Sequence, residues 1–198
     1  MQEQLFKNYT TSKIPYSIKD LLMNAAEKLF LEKGVAATSV TDILTASKQA
    51  KNAFYDNYNC KEELVADMRA RYDRRISAEL LREIDKIPIN QSEKMLKAWI
   101  ETYIKLYINS YHIYDIMYDN SSLNRYKKNQ TDPVLNVLID TIENGNIEGI
   151  WSIEEPRLAA AMIKAGVHAI ADEFIGDIFS NYQDYYQIIY NYCRKMLR

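Results

Sequence analysis

The sequence predicts an all-α fold, and three features lead to that prediction. Glycine and proline are scarce, with 5 and 4 among 198 residues. Apolar residues recur at spacings of three and four along most of the chain, which is the period of one helix face. Residues that cap or break helices stand where these periodic stretches begin and end. Together these features disfavour a β-rich architecture and indicate several amphipathic helices.

Charge and targeting signals narrow the class of protein only slightly. The net charge of −2 is too small to identify a polyanionic partner. No apolar stretch approaches the roughly 18 residues that a membrane span needs, and the N-terminus lacks a secretory apolar core. We therefore expect a cytoplasmic protein. Cys60 and Cys193 lack metal-ligand spacing, so we expect two free thiols in a reducing compartment.

The first helix is marked at both ends. Its one-sided apolar stripe runs from Ile18 to Phe30. Ser17 and Asp20 have the spacing of a capping box at its start, and Gly34 stands where a left-handed C-terminal cap belongs. The pattern predicts one amphipathic helix between these signals.

Two short helices follow within a few residues of each other. Thr38 or Ser39 is placed to cap the second helix, and the third covers about residues 50–58. Neither is long enough to bury an apolar face alone, so both must pack on the first helix as a three-helix unit. By spacing, Phe54 and Tyr58 form the core pair of the third helix, which leaves the intervening tyrosine outside.

The most specific pattern is a set of spaced positions within about residues 17–66: Ala25, Leu29, Phe30, Glu32, Lys33, Gly34, Thr38, Val40, Asp42, Ile43, Phe54, Tyr55, Tyr58, Lys61, Glu62, Glu63 and Leu64. In this combination the sequence resembles the DNA-binding region of TetR-type repressors. The resemblance implies a helix-turn-helix DNA-binding domain with an N-terminal arm over residues 1–62. It also implies a helical ligand-binding and dimerisation domain over residues 63–198.

The resemblance also implies how the first domain meets double-stranded DNA. The third helix enters the major groove, while the first helix and the start of the fourth touch the backbone. Thr38, Tyr55 and Lys61 take phosphate-contact positions, because hydroxyl, phenol and ammonium groups all donate to phosphate oxygens. Lysine and glutamine in the turn suit phosphate, guanine or adenine. The remaining DNA-contact candidates are Lys48, Gln49, Ala50, Lys51, Asn52 and Asp56.

The turn before the third helix departs from the family pattern. The family usually has Ala, Gly, an apolar residue and Ser there, whereas this chain has Ser47, Lys48, Gln49 and Ala50. A lysine in a left-handed conformation costs about 1 kcal/mol, and a lost N-cap costs about as much. A rebuilt turn in which Ser47 serves as an earlier cap avoids both costs.

The fourth and fifth helices begin the larger domain. The fourth covers about residues 60–84, before the Pro88 loop, and the next covers about 92–111 with a further helical stretch beyond it. Tyrosines from Tyr103 to Tyr118 step by four, four, three and four, which places their rings on one side if the helix is continuous or only bent.

This aromatic stripe has two interpretations. It is either hydrophobic core or the wall of a ligand pocket. Phenol rings suit an aromatic, amphipathic or cationic small molecule. The candidate ligand-binding residues are Trp99, Tyr103, Tyr107, Tyr111, Tyr114, Met117 and Tyr118.

Three helices complete the predicted body after a loop over about 119–133. They cover about residues 133–144, from a Ser152–Glu155 capping-box pattern to about 180, and about 184–197. The resemblance implies that the last two pair with a second subunit as a four-helix bundle; the alternative is that they only complete the monomer's core. The interface candidates are Ala159, Met162, Ala165, Gly166, Ala169, Ile170, Phe174, Tyr185, Ile189, Tyr192 and Met196.

These features predict a homodimeric repressor that a small molecule releases from a palindromic operator. We expect no enzyme activity, because neither paired inward carboxylates nor a nucleophile with a base occurs at convincing spacing. His112, His168 and Asp172 do not supply a metal-ligand set, and no cofactor is expected. The alternative is a helical small-molecule-binding or protein-interaction protein with degenerate operator recognition, because the turn is so atypical.

Overall fold

The structure, a computed structural model, describes residues 17–118, 132–175 and 185–197. Within those residues it contains helices and no strand, which confirms the all-α prediction. The chain divides into two compact units, here called the head (Met1–Val65) and the body (Ala66–Arg198). The helices are α1 (Ile18–Lys33), α2 (Val40–Ser47), α3 (Lys51–Tyr55), α4 (Lys61–Ile84), α5 (Ser92–Tyr118), α6 (Pro133–Ile147), α7 (Pro156–Ile175) and α8 (Tyr186–Met196).

Two capping boxes define the start of α1 and α2. The Ser17 hydroxyl accepts from the Asp20 N–H while the Asp20 carboxylate accepts from the Ser17 N–H. Ser39 and Asp42 repeat the arrangement at α2, so Ser39 and not Thr38 is the cap. Gly34 ends α1 with a φ of 79°, a conformation that favours glycine.

The helices of the head share one core. Leu22, Ala26, Ile43 and Phe54 are fully buried. An ion pair also joins α1 to α2, because Lys33 Nζ lies 2.8 Å from Asp42 Oδ2. Hydrogen bonds from Lys33 and from Ser39 hold the pKa of Asp42 well below its usual value.

The turn between α2 and α3 is not rebuilt around Ser47. Ser47 is the last residue of α2, and its hydroxyl donates to the Leu44 carbonyl. Lys48 takes the left-handed conformation, with φ 56° and ψ 34°. Ala50 occupies the N-cap of α3 without a side-chain hydrogen bond. The turn therefore has both unfavourable features that the rebuilt turn would avoid: a left-handed lysine and a helix without a side-chain N-cap.

The body is arranged around α5, which packs against α6, α7 and α8. Leu96, Trp99, Ile100 and Ile104 on this helix are fully buried. The helix is continuous from Ser92 to Tyr118. A one-sided tyrosine stripe was predicted only if this helix is continuous or bent, and the helix is continuous.

Polar contacts fix the N-terminal end of α5 to α6 and α8. The Ser92 N–H donates to Glu148 Oε1 at 3.0 Å, so a carboxylate from the end of α6 caps the start of α5. Arg194 on α8 donates to Glu93 Oε1 at 2.5 Å. Lys97 Nζ donates to Gln187 Oε1 at 2.9 Å. These contacts orient α8 along α5.

The start of α7 differs from the sequence prediction. The helix begins at Pro156, so its N-cap position falls on Glu155 and not on Ser152. Proline fits this first turn because its missing N–H would have no partner in the helix. Three predictions lie largely outside the described residues: the end of this helix near residue 180, the start of the next helix at residue 184, and the loop after residue 118.

Both cysteines are free thiols, as predicted. Burial raises the pKa of the Cys193 thiol to about 11. In the part of the chain that the structure describes, no helix has the length and apolarity required to cross a membrane.

Gly145 lies where α6 meets the following loop. The sequence predicted that this helix ends at about residue 144, but α6 includes Gly145 and continues to Ile147. A Cβ on Gly145 would lie 2.0 Å from Trp151 Cε3, so the indole ring packs directly on the glycine. Asn146 fixes the same loop by hydrogen bonds to both backbone groups of Ile153.

We expect Gly145→Ala to destabilise the protein by about 1–3 kcal/mol, the usual cost of overpacking, despite the better helix propensity of alanine. Chemical denaturation measures this cost. In a Trp151→Leu background the added methyl group should cost clearly less. Equal costs in both backgrounds would show that Trp151 is not the source of the clash.

Candidate functional site

The exposed face of α3 carries most of the predicted DNA contacts. Phe54 and Tyr58 are buried as their spacing predicts, while Tyr55 is 50% exposed. The Lys51 ammonium lies 5.9 Å from the centre of the Tyr55 ring. Of the remaining candidates in this stretch, Gln49 is half-buried. The exposed candidates are Lys48, Ala50, Lys51, Asn52, Tyr55 and Asp56.

Two phosphate-contact candidates are engaged inside the head. Thr38 is 1% exposed, and its hydroxyl donates to the Gly34 carbonyl at 2.8 Å. Lys61 Nζ donates to the carbonyls of Val35 at 2.6 Å and of Thr38 at 2.8 Å. The connection between α1 and α2 therefore uses the two polar groups that the resemblance assigned to DNA.

The exposed turn carries a local energetic cost. A left-handed conformation costs a residue with a Cβ about 1–2 kcal/mol relative to a right-handed one. Lys48 is the sole non-glycine residue with positive φ in the described ranges. Such an outlier persists only where its surroundings impose it, and it often marks a functional position.

The body contains an aromatic cluster that joins three helices. Tyr72 comes from α4 and His168 from α7, and the remaining members come from α5. The Trp99 and Tyr103 rings are stacked with centres 4.9 Å apart, and the Tyr107 and His168 rings meet edge-on at 4.5 Å. The members of the aromatic cluster are Tyr72, Trp99, Tyr103, Tyr107, Tyr114 and His168.

Helix geometry explains which tyrosines join the cluster. Each step of four residues rotates about 40° around the axis, and a step of three rotates back by about 60°. Tyr111 therefore drifts to the edge, where its ring lies 3.7 Å from that of His112. Tyr114 returns to the cluster, 4.9 Å from Tyr107. The side chains of Met117 and Tyr118, also predicted ligand contacts, lie outside the described residues.

Hydrogen bonds to α7 and α5 satisfy the buried phenols. The Tyr103 hydroxyl lies 3.0 Å from His168 Nδ1, and the Tyr107 hydroxyl donates to Asp172 Oδ1. The Tyr72 hydroxyl lies 2.8 Å from Ser110 Oγ. The cluster therefore combines apolar ring faces with polar tips.

Burial sets the protonation states in the cluster. It raises the pKa of Tyr103, Tyr107 and Tyr114 well above the usual value, so the phenols stay protonated. Burial lowers the pKa of His168, an effect that the nearby Asp172 carboxylate opposes, so the imidazole is neutral at neutral pH. Trp99 Nε1 is buried and has no hydrogen-bond partner among the described residues. This N–H remains available to an acceptor.

Sequence reasoning missed part of this cluster. It treated His168 and Asp172 only as an incomplete metal site, and it left out Tyr72. The spacing of His168 and Asp172, one turn apart on α7, was visible as a signal. Their orientation toward α5 was not, because it depends on how the two helices pack.

The side of α7 that faces away from its buried residues, together with the exposed part of α8, is largely apolar. Met162, Tyr192 and Met196 are 56%, 66% and 48% exposed, and Ala165, Gly166 and Ala169 are exposed as well. Leu158 and Ile188, which the sequence analysis omitted, are also exposed. We call this surface, with Ile170 included, the outer face.

Several interface candidates lie elsewhere. Phe174 and Ile189 are 8% and 4% exposed because they pack in the core of the single subunit. Ala159 and Tyr185 are half-buried. The core positions are therefore not part of the outer face.

Comparisons with known proteins agree with this fold. A family model described as bacterial regulatory proteins of the tetR family matches residues 22–68. The HTH-type transcriptional regulator QacR of Staphylococcus aureus is 21% identical over 158 residues, which cover 78% of this chain and 84% of that protein.

Solved structures share the architecture over nearly the whole chain. FadR from Bacillus subtilis, in complex with stearoyl-CoA, superposes with a TM-score of 0.72 at 14% identity and covers 90% of this chain and 98% of its own. A SmeT–triclosan complex has a TM-score of 0.61 at 20% identity, with 80% of each chain covered. The family match over residues 22–68, the similarity to a known regulator and the shared fold together support a TetR-family DNA-binding transcriptional regulator.

Proposed function

We propose that the protein is a repressor that binds a palindromic operator as a homodimer and leaves it when a small molecule binds the body. The observation that carries this proposal is that α7 takes part in two surfaces at once. His168 and Asp172 on one flank of α7 contact the hydroxyls of the aromatic cluster, and the outer face adjoins that flank. A ligand and a second subunit would therefore act on the same helix.

The head supports the DNA-binding part of the proposal. The exposed side of α3 offers ammonium, amide and phenol donors, while its buried side anchors it through Phe54. Such donors contact both phosphates and base edges. Two heads related by a two-fold axis match the two halves of a palindrome.

The body supports a ligand of mixed character. Ring faces in the aromatic cluster favour an aromatic or cationic molecule, and the buried Trp99 N–H favours one with an acceptor atom. Proteins with this fold bind stearoyl-CoA and triclosan in the FadR and SmeT complexes. Release from DNA requires that the ligand bind the DNA-free state more tightly.

A mobility-shift assay on the DNA upstream of the gene tests the function directly. Tight, sequence-specific and salt-sensitive retention is expected. Weak binding that is equal on random DNA would instead support the alternative, a helical binding protein with degenerate operator recognition.

Tyr55→Phe should weaken DNA binding by about 1.5–3 kcal/mol per head, because it removes a hydrogen bond to a charged phosphate while keeping the ring. The loss should be the same on every sequence that the protein binds. Competition between operator variants measures it. A change in which base is preferred would mean that Tyr55 reads bases and not phosphate.

A thermal-shift screen of aromatic and cationic compounds should find a stabilising ligand. At a hundred times its Kd, such a ligand stabilises the protein by about 2.7 kcal/mol. Tyr107→Ala should abolish this shift. Tyr111→Ala is the matched control, since its ring lies against His112 at the edge of the cluster. An unchanged shift in Tyr107→Ala would remove the cluster as the ligand site.

Met162→Glu should raise the dimer dissociation constant at least about tenfold, or about 1.4 kcal/mol, because it buries an unpaired carboxylate in the outer face of each subunit. Sedimentation equilibrium measures this effect. Ile147→Glu makes the same change at a position that is 82% exposed on α6, outside the outer face, and should leave the dimer intact. Equal dimerisation of both variants would place the interface elsewhere.

A further inference from the structure

The two lysines that flank α3 have opposite local environments. Lys48 precedes α3 and Lys61 begins α4. Both are DNA-contact candidates by sequence, and the sequence does not distinguish their roles. The structure distinguishes them through what each ammonium group already binds.

Lys61 directs its ammonium group into the head. Its Nζ lies 2.6 Å from the Val35 carbonyl and 2.8 Å from the Thr38 carbonyl. Both carbonyls belong to the connection between α1 and α2. The Val35 carbonyl also accepts from the Thr38 N–H at 3.3 Å, whereas Lys61 is the donor to the Thr38 carbonyl. Two of the three N–H groups of Lys61 are therefore used to hold this connection at the start of α4.

Lys48 shows the reverse situation. Its side chain is exposed, and within the described residues its ammonium group makes no hydrogen bond, ion pair or ring contact. Its backbone N–H donates to the carbonyls of Leu44 and Thr45, bonds that glycine would make equally well. The lysine side chain gives the fold no contact that would offset its left-handed backbone.

We propose that, of the two lysines that flank α3, Lys48 contacts a DNA phosphate and Lys61 is a positioning residue for the α1–α2 connection. This inference rests on the proposed DNA binding. Lys48 at the turn before α3 and Tyr55 at the end of α3 are both exposed, and residues beside a helix that enters the groove can reach the DNA backbone there. On this proposal, the strained backbone of Lys48 is retained because its side chain binds a DNA phosphate.

The two roles differ in their salt dependence. A lysine that neutralises a phosphate releases a counterion, so its removal reduces the slope of log K against log salt by about 0.9 on B-DNA. A lysine that only orders the head has no such effect. Its removal lowers affinity by a factor that is similar at every salt concentration.

The experiment compares single variants of the full chain on a short random-sequence duplex and on the DNA upstream of the gene, at salt concentrations between about 50 and 200 mM. Lys48→Gly removes the charge and the strain, and Lys48→Arg keeps both. Lys61→Met removes the donor, and Lys61→Gln keeps a neutral donor should the methionine variant fail to fold. Lys94→Ala removes an exposed lysine of the body as a charge control.

We expect Lys48→Gly to reduce the slope by about 0.9 per head and to raise the denaturation midpoint. Lys48→Arg and Lys94→Ala should retain the slope of the natural protein. Lys61→Met should lower the denaturation midpoint while retaining the slope, and Lys61→Gln should recover part of the stability.

A slope that Lys48→Gly leaves unchanged, or one that either Lys61 variant reduces by about 0.9, would overturn the inference. A changed base preference in Lys48→Gly would also overturn it, because phosphate contacts carry no sequence information. These failures differ from failure of the proposed function, in which the natural protein itself shows no preference for the upstream DNA.

Discussion

Helix α5 packs against three neighbouring helices at once, and the arrangement of the body depends on this apolar packing. Over its 27 residues it buries Trp99 and several aliphatic side chains against α6, α7 and α8. Each fully buried side chain of this size contributes about 1.5–3 kcal/mol. Because the apolar side of α5 faces these three helices, the direction of that side determines where they pack. The Glu148 carboxylate at its first residue fixes where the helix begins.

The same burial brings phenol hydroxyls into the interior, where each needs a hydrogen-bond partner. Asp172 and His168 on α7 provide partners for Tyr107 and Tyr103. A polar contact between α5 and α7 therefore replaces what would otherwise be purely apolar packing. Since the outer face adjoins this flank of α7, a ligand that disturbs these hydrogen bonds would also act on the proposed dimer interface, which is the coupling that the proposed function requires.

The head shows a different balance between stability and function. Two capping boxes, the Lys33–Asp42 ion pair and the Lys61 amine stabilise α1, α2 and their connection. The turn before α3 lacks such support, because Lys48 is left-handed and Ala50 gives no side-chain cap. Local strain is kept at the surface proposed to meet DNA, while the well-capped helices behind it hold the short α3 in place.

Sequence patterns were enough to predict the helical class, the capping of α1 at Ser17, and the burial of Phe54 beside an exposed Tyr55, because these features depend on contacts within a few residues. Spacing also indicated the tyrosine stripe of α5. Only the tertiary structure decided that the turn keeps a left-handed Lys48, since packing of α2 and α3 outweighs local propensity. It also turned the Lys61 amine inward and brought Tyr72 and His168 to the cluster. Those contacts join residues distant in sequence, and no periodicity within one helix can specify them.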